Sequence, residues 1–104
     1  ITADLTTFAE NWSQNMSQNG LRHSNYSQNG YLRERGSRSN WAENIVYTSD
    51  TSLSAEEVAQ LFHNTWRNSS THYRNMINSG FTEVGIGIYR TSNGWYGTHT
   101  FSNG

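Results

Sequence analysis

The sequence predicts an α+β domain, and three observations carry that expectation. Residues 3–18 and 54–68 each repeat apolar positions at the 3.6-residue spacing of an amphipathic helix. Between residues 82 and 101, two alternating segments flank an Asn-Gly dipeptide, the pattern of a β-hairpin. A chain of 104 residues has room for one small core, so residues 1–104 are read as a single domain packed as one sandwich.

In the first helix Leu5, Phe8, Ala9, Trp12 and Met16 fall on one face. Thr2 is placed to cap its start, Asp4 suits the positive end of the helix dipole, and Gly20 follows its end. Residues 20–52 are rich in Ser, Asn, Gly and Arg, which reads as loop with one short helix at residues 23–26. Within that stretch residues 41–47 are more apolar, and read as a short strand or an ordered, buried crossing. Ser54 and Glu57 form a capping box, each side chain satisfying an orphan backbone donor of the other. Val58, Leu61, Phe62, Thr65 and Trp66 then make one stripe. A Ser69-Ser70-Thr71 break separates it from a shorter helix at residues 73–79, closed by Gly80. In the hairpin Val84, Ile86 and Ile88 alternate with Glu83, Gly85 and Gly87, and Trp95, Gly97, His99 and Phe101 share one face of the return strand. With Asn93 and Gly94 as the central turn pair, Ile88 is expected opposite His99 and Ile86 opposite Phe101.

Composition narrows the function classes. Mean hydropathy is −0.84, yet net charge is only −1 and aromatics reach 13%. Disorder combines low hydrophobicity with high net charge and few aromatics. Four Trp, six Tyr and four Phe instead supply buriable area for a folded core. The near-neutral charge gives no footprint for nucleic acid or an anionic membrane. All seven basic residues are Arg, and Arg22, Arg33, Arg35 and Arg38 fall in one stretch, read as a solvated loop ahead of a local binding edge. The absence of cysteine excludes disulfides, thiolate metal sites and a cysteine nucleophile. No run approaches the ~18 apolar residues of a membrane helix. The chain opens at Ile1, without Met, directly before a helix pattern, which reads as a processed or trimmed piece.

Four histidines raise the question of a metal. Taken singly, His63 flanks the helix stripe as a surface or boundary residue. His99 shares a face with Ile88 and Phe101 and reads as a hydrogen-bonded core histidine. His23 and His72 each follow polar residues near a helix start. No H-x-x-x-H or H-E-x-x-H spacing places two ligands on one helix face, so spacing alone is a weak signal.

A family resemblance changes that balance. In order along the chain stand Phe8-Ala9-Glu10-Asn11-Trp12, Leu21-Arg22-His23-Ser24, Trp41-Ala42-Glu43-Asn44-Ile45 and a helix ending in Trp66. Then follow Ser70-Thr71-His72-Tyr73-Arg74-Asn75-Met76, Phe81-Thr82-Glu83-Val84-Gly85-Ile86-Gly87 and Trp95-Tyr96-Gly97-Thr98-His99-Thr100-Phe101. This series resembles the CAP family (cysteine-rich secretory proteins, antigen 5 and pathogenesis-related proteins), in its cysteine-free bacterial-type branch. The resemblance implies a three-layer α-β-α sandwich around a small antiparallel sheet. It also implies a cleft formed by His23, Glu43 and His72, whose paired histidines hold a divalent cation such as zinc. Sterols or other lipids bind elsewhere on some relatives, and few relatives have an established enzymatic activity. Three positions depart from the pattern. Ser69 stands where many relatives have a second Glu, Ala42 replaces a Gly before Glu-Asn-Ile, and the family's first helix, expected before Ile1, is absent from the chain.

Three functions follow from this reading. Ranked first is a secreted or cell-envelope binding module. Its His23, Glu43, His72 and Ser69 cleft takes a weakly bound divalent cation (His23 and His72 as ligands) or a small polar ligand, and performs no chemistry. Second is a scaffold for an extracellular lipid or cell-envelope partner, with no functional cleft. Third is a zinc-dependent hydrolase with Glu43 as general base. A catalytic zinc site usually takes three protein ligands plus water. If Glu43 were the third ligand, no acid would remain as base, which places this reading last.

Overall fold

The computed structural model describes residues 3–35, 38 and 40–103. Helix α1 (Ala3–Asn19) buries Leu5, Phe8, Ala9, Trp12, Ser13 and Met16. It ends where Gly20 adopts φ +101°, a conformation that costs glycine least, with its N–H on the Met16 carbonyl at 2.8 Å. The cap expected from Thr2 lies outside the described residues, as does the side chain of Arg35.

Helix α2 (Tyr26–Arg35) starts later and runs longer than the expected helix at residues 23–26. No apolar stripe announces it. Asn25 and Gln28 close it instead, the Asn25 N–H donating to Gln28 Oε1 at 2.9 Å and the Gln28 N–H to Asn25 Oδ1 at 3.2 Å. This is a capping box written with amides, a signal present in the sequence but weaker than Ser-Glu. Residues 41–47 resolve as strand β1 (Trp41–Thr48).

Helix α3 (Ala55–Arg67) carries the expected capping box at Ser54 and Glu57. Its buried face is narrower than the expected stripe. Val58, Phe62 and Trp66 are buried, while Leu61 is 38% exposed and Thr65 faces solvent. Helix α4 (Ser70–Met76) begins three residues before the expected start and ends three before the expected end. One extended residue, Ser69 at φ −103° and ψ 121°, suffices to turn the chain, so Ser70 and Thr71 join the helix.

Strands β2 (Glu83–Thr91) and β3 (Gly94–Ser102) form the hairpin, and β1 pairs antiparallel on the other side of β3, giving the order β1-β3-β2. The expected pairing is corrected by two residues: Ile88 lies opposite Gly97, Ile86 opposite His99 and Val84 opposite Phe101. The turn is centred on Ser92 and Asn93, with Thr91 opposite Gly94. Gly94 serves a close approach instead, because a Cβ there would stand 2.2 Å from the Thr48 carbonyl at the end of β1. A two-residue shift leaves each side chain on its expected face.

The result is an α+β, three-layer α-β-α sandwich. On one face α1 packs over β2 and β3, and Leu5, Phe8, Trp12, Met16 and Leu32 form a cluster with Trp41, Ile45 and Tyr96. On the other, Val58, Phe62, Trp66 and Trp95 cluster with Val46, Leu53, Met76 and Ile88. Gly85 and Gly87 set the separation of the first pair of layers, since a Cβ at either would lie 2.2 Å from α1 backbone atoms. Arg38 departs from the solvated-loop reading of the arginine stretch. It is 8% exposed and bridges Asp4 and Glu83, donating also to the Leu32 carbonyl at 2.9 Å.

His99 is a core residue as expected, 7% exposed, with ring centroids of Trp66 and Phe101 at 5.0 and 4.1 Å. It is not hydrogen-bonded as expected: its Nδ1 is buried without a partner among the described residues. Burial, and then the nearby His63 charge, push its pKa down to about 4.

Two predictions follow from this packing. Gly87→Ala forces α1 off the sheet and costs on the order of 3 kcal/mol in a urea titration, because backbone cannot yield as a side chain can. For His99 the unfolded chain takes up a proton near pH 6.5 that the folded state accepts only near pH 4. Stability therefore falls as pH drops through that window, by up to about 3 kcal/mol, and is fully present above it. Urea midpoints between pH 7 and 5 check this, and His99→Phe flattens the slope.

Candidate functional site

The site is organised by the alternation of β1, which is an edge strand of the sheet. Neighbouring residues of a strand point to opposite faces. Glu43 and Asn44 therefore serve different sides, Glu43 toward the segment between α1 and α2, Asn44 toward α4.

Glu43 has a side chain only 5% exposed, with both carboxylate oxygens hydrogen-bonded. Its Oε1 accepts from the Ser24 N–H at 2.9 Å and contacts His23 Nδ1 at 3.0 Å, while its Oε2 accepts from Ser24 Oγ at 2.5 Å. Asn29, 3% exposed on α2, donates to Ser24 Oγ at 2.9 Å and so holds Ser24 in place. The His23 side chain itself is 60% exposed. A carboxylate can only accept, so it holds the proton on Nδ1 of the neutral ring and leaves Nε2 with its lone pair.

Asn44 is fully buried. Its amide donates to the His72 carbonyl at 3.2 Å and its Oδ1 accepts from Asn75 at 3.0 Å. These bonds fasten α4 to β1 and fix the height of His72 along the strand. His72 Nδ1 meets Ser69 Oγ at 2.9 Å, three residues back on the same helix start. Burial first, and then the charge of His23, lower the pKa of His72 below its ordinary value. The charge of His23 thus reaches His72 although the two sit on different segments.

Of the sequence-derived site residues, His23 and Glu43 are in direct contact, and so are His72 and Ser69. Among the described residues, no group of three or more His, Cys, Asp or Glu is placed to hold a metal ion. Sequence reasoning missed Ser24, Asn29, Asn44 and Asn75 as positioning residues. Ser24, Asn44 and Asn75 stand inside the motifs that carry the resemblance, but only the fold shows whom they hold.

The three-layer α-β-α order is the architecture of CAP domains. Residues 1–102 match the model of the cysteine-rich secretory protein (CAP) family, and the chain belongs to that family. Members of this family are generally secreted. No curated protein and no solved structure matches the chain. Among the described residues, no helix is long and apolar enough to cross a membrane.

A titration tests the coupling. His72 followed by NMR titrates below the ordinary imidazole value, and His23→Ala raises its pKa toward that value by removing the neighbouring positive charge. An unchanged His72 titration in His23→Ala would separate the two rings.

Proposed function

We propose that this chain is a secreted binding module in which His23 and His72 together contact a divalent cation or a small polar ligand, positioned by Glu43 and Ser69. One observation supports the reading above others. Each imidazole spends Nδ1 on a protein oxygen, at 3.0 Å for His23 and 2.9 Å for His72, and neither Nε2 has a partner among the described residues. The Nε2 lone pair of His23, fixed by Glu43, and the Nε2 of His72, which Ser69 leaves able to present a lone pair, make a donor set for imidazole–cation contacts.

The donor set fits a two-point contact and not a three-ligand zinc centre. Zinc sites of either kind ordinarily take at least three protein ligands. Here Glu43 already accepts from His23 and Ser24, so its recruitment would break the arrangement that orients His23. A cation held here completes its shell with water or ligand oxygens and binds weakly. A cation, when bound, would supply positive charge to attract an oxygen-bearing ligand.

The same geometry argues against catalysis. A general base needs a lone pair open to the proton it removes, and Glu43, 5% exposed, already accepts three hydrogen bonds from His23 and Ser24. Ser69 and His72 have the spacing of a nucleophile and base, but His72 has no carboxylate on its other nitrogen to stabilise an imidazolium, and burial opposes that charge.

Calorimetric titration with zinc chloride at pH 7.5 tests the binding reading. Weak saturable binding is expected, lost in His23→Ala and His72→Ala and reduced at least tenfold in Glu43→Gln. Ser69→Glu, which offers His72 a carboxylate, raises the affinity about tenfold. Zinc-dependent cleavage in a peptide library, abolished by Glu43→Gln, would instead establish a hydrolase.

A further inference from the structure

Four of the chain's seven arginines fall between residues 22 and 38, and the fold separates them. Arg38 is buried between Asp4 and Glu83. Arg33, on α2, is only partly buried, and its guanidinium carbon lies over two rings. It stands 5.4 Å from the centroid of Tyr26 and 5.6 Å from that of Trp41 on β1. Arg22 is exposed, and its segment is fastened through its carbonyl, which accepts from Trp12 Nε1 at 2.9 Å. Neither the Arg33 nor the Arg22 guanidinium has a hydrogen-bonded or ion-paired acceptor among the described residues.

The ring beside Arg33 is held in place although it contributes little to the core. Tyr26 is 57% exposed. Its ring lies along α2 over Gly30, where a Cβ would stand 2.7 Å from a ring carbon, and its hydroxyl donates to Glu34 Oε1 at 2.8 Å. A ring laid against its own helix has no free apolar tip to enter a lipid surface. It can orient a cation instead. A guanidinium over an aromatic face keeps its rigid N–H fork for acceptors, and that fork matches a planar carboxylate bidentately. Glu34, the next residue, adds negative charge nearby, which disfavours a doubly charged phosphate.

We propose that the edge carrying Arg22, Tyr26 and Arg33 binds an acidic polysaccharide, with a uronate carboxylate in the fork of Arg33. A single exposed ion pair strengthens binding by no more than about fivefold, so a lone carboxylate is not retained. A polymer with a carboxylate on every unit differs, because once one group is held the next meets Arg22 at high effective concentration. Asn25 and Ser27, both exposed and between the two arginines in sequence, supply amide and hydroxyl partners for sugar hydroxyls. The binding residues are other than His23, Glu43, His72 and Ser69.

The probe is tetragalacturonate, titrated at pH 7 and low ionic strength while the Arg33 Nε–H and the α2 backbone amides are followed by NMR. Saturable shifts are expected, with affinity falling as salt rises and the uncharged methyl ester about tenfold weaker. Arg33→Lys keeps the charge, loses the fork and the stacking, and weakens binding about fivefold. Tyr26→Leu, which releases Arg33, weakens it to a similar extent, and Arg22→Gln weakens it about threefold. His72→Ala leaves it intact. Absence of saturable shifts, the ester binding as tightly as the acid, or affinity unchanged in Arg33→Lys would each overturn the proposal. So would co-sedimentation with phosphatidylglycerol vesicles at a salt concentration that abolishes tetragalacturonate binding, which would make the edge a lipid-surface site.

Discussion

The close approach of α1 to the sheet is the constraint on which the rest of the molecule depends. Two glycines two residues apart on β2 let helix backbone rest where side chains would ordinarily hold it off. Ser13 exploits that proximity, donating to the Gly87 carbonyl at 2.9 Å and meeting Thr98 Oγ1 at 2.8 Å. These bonds are buried, so they carry more weight than surface ones, and they fix the helix in rotation as well as in distance. Arg38 completes the seam by joining Asp4 of α1 to Glu83 of β2. A residue that composition places in a solvated stretch thus becomes a buried clasp. A buried arginine needs paired charge and hydrogen bonds to be tolerated, and it has both.

From this seam the position of the site follows. With α1 fixed over β2 and β3, β1 is left at the sheet edge, and its alternation hands Glu43 to one flank and Asn44 to the other. Each of the two imidazoles is then tied to β1 by a different device: His23 through its ring to Glu43, His72 through its main-chain carbonyl to Asn44. The pair is therefore held by a strand that is itself paired along its whole length with β3. His23 itself lies on the coil between α1 and α2, so its anchor Glu43, on the paired strand, supplies the rigidity that its own segment lacks.

Much of the fold was legible in the sequence because its signals are local. The α1 stripe, the Ser54–Glu57 box and the alternation of Val84, Ile86 and Ile88 each need only a few neighbouring residues to be read. What misled was a signal with two uses. Asn93-Gly94 reads as the turn pair, yet Gly94 is required by Thr48, a residue far away in the chain. The sequence predicts too short a helix at α2 because that helix is polar on nearly every face and, among its described residues, buries just Asn29, Gly30 and Leu32. His99 was legible as core by its parity, but the absence of a hydrogen-bond partner depends on tertiary neighbours that parity does not name. The site residues were reached through the resemblance, since two histidines 49 positions apart carry no spacing signal of their own.

The serine at position 69 gives the site its particular character. A carboxylate on His72 would only accept and so lock its tautomer, as Glu43 does for His23. A hydroxyl does not, because it donates or accepts with equal ease. His72 is thus the adaptable member of the pair, able to offer Nε2 as a lone pair or as an N–H, while His23 is fixed by its acid. Burial and the neighbouring charge of His23 keep His72 neutral, which preserves that choice. One fixed and one adaptable imidazole suit a ligand that both donates and accepts, such as a hydroxyl or amide, at least as well as a bare cation. The single carboxylate also leaves a bound cation with most of its charge uncompensated, so a cation would hold an oxygen-rich ligand more firmly than it is itself held by the protein.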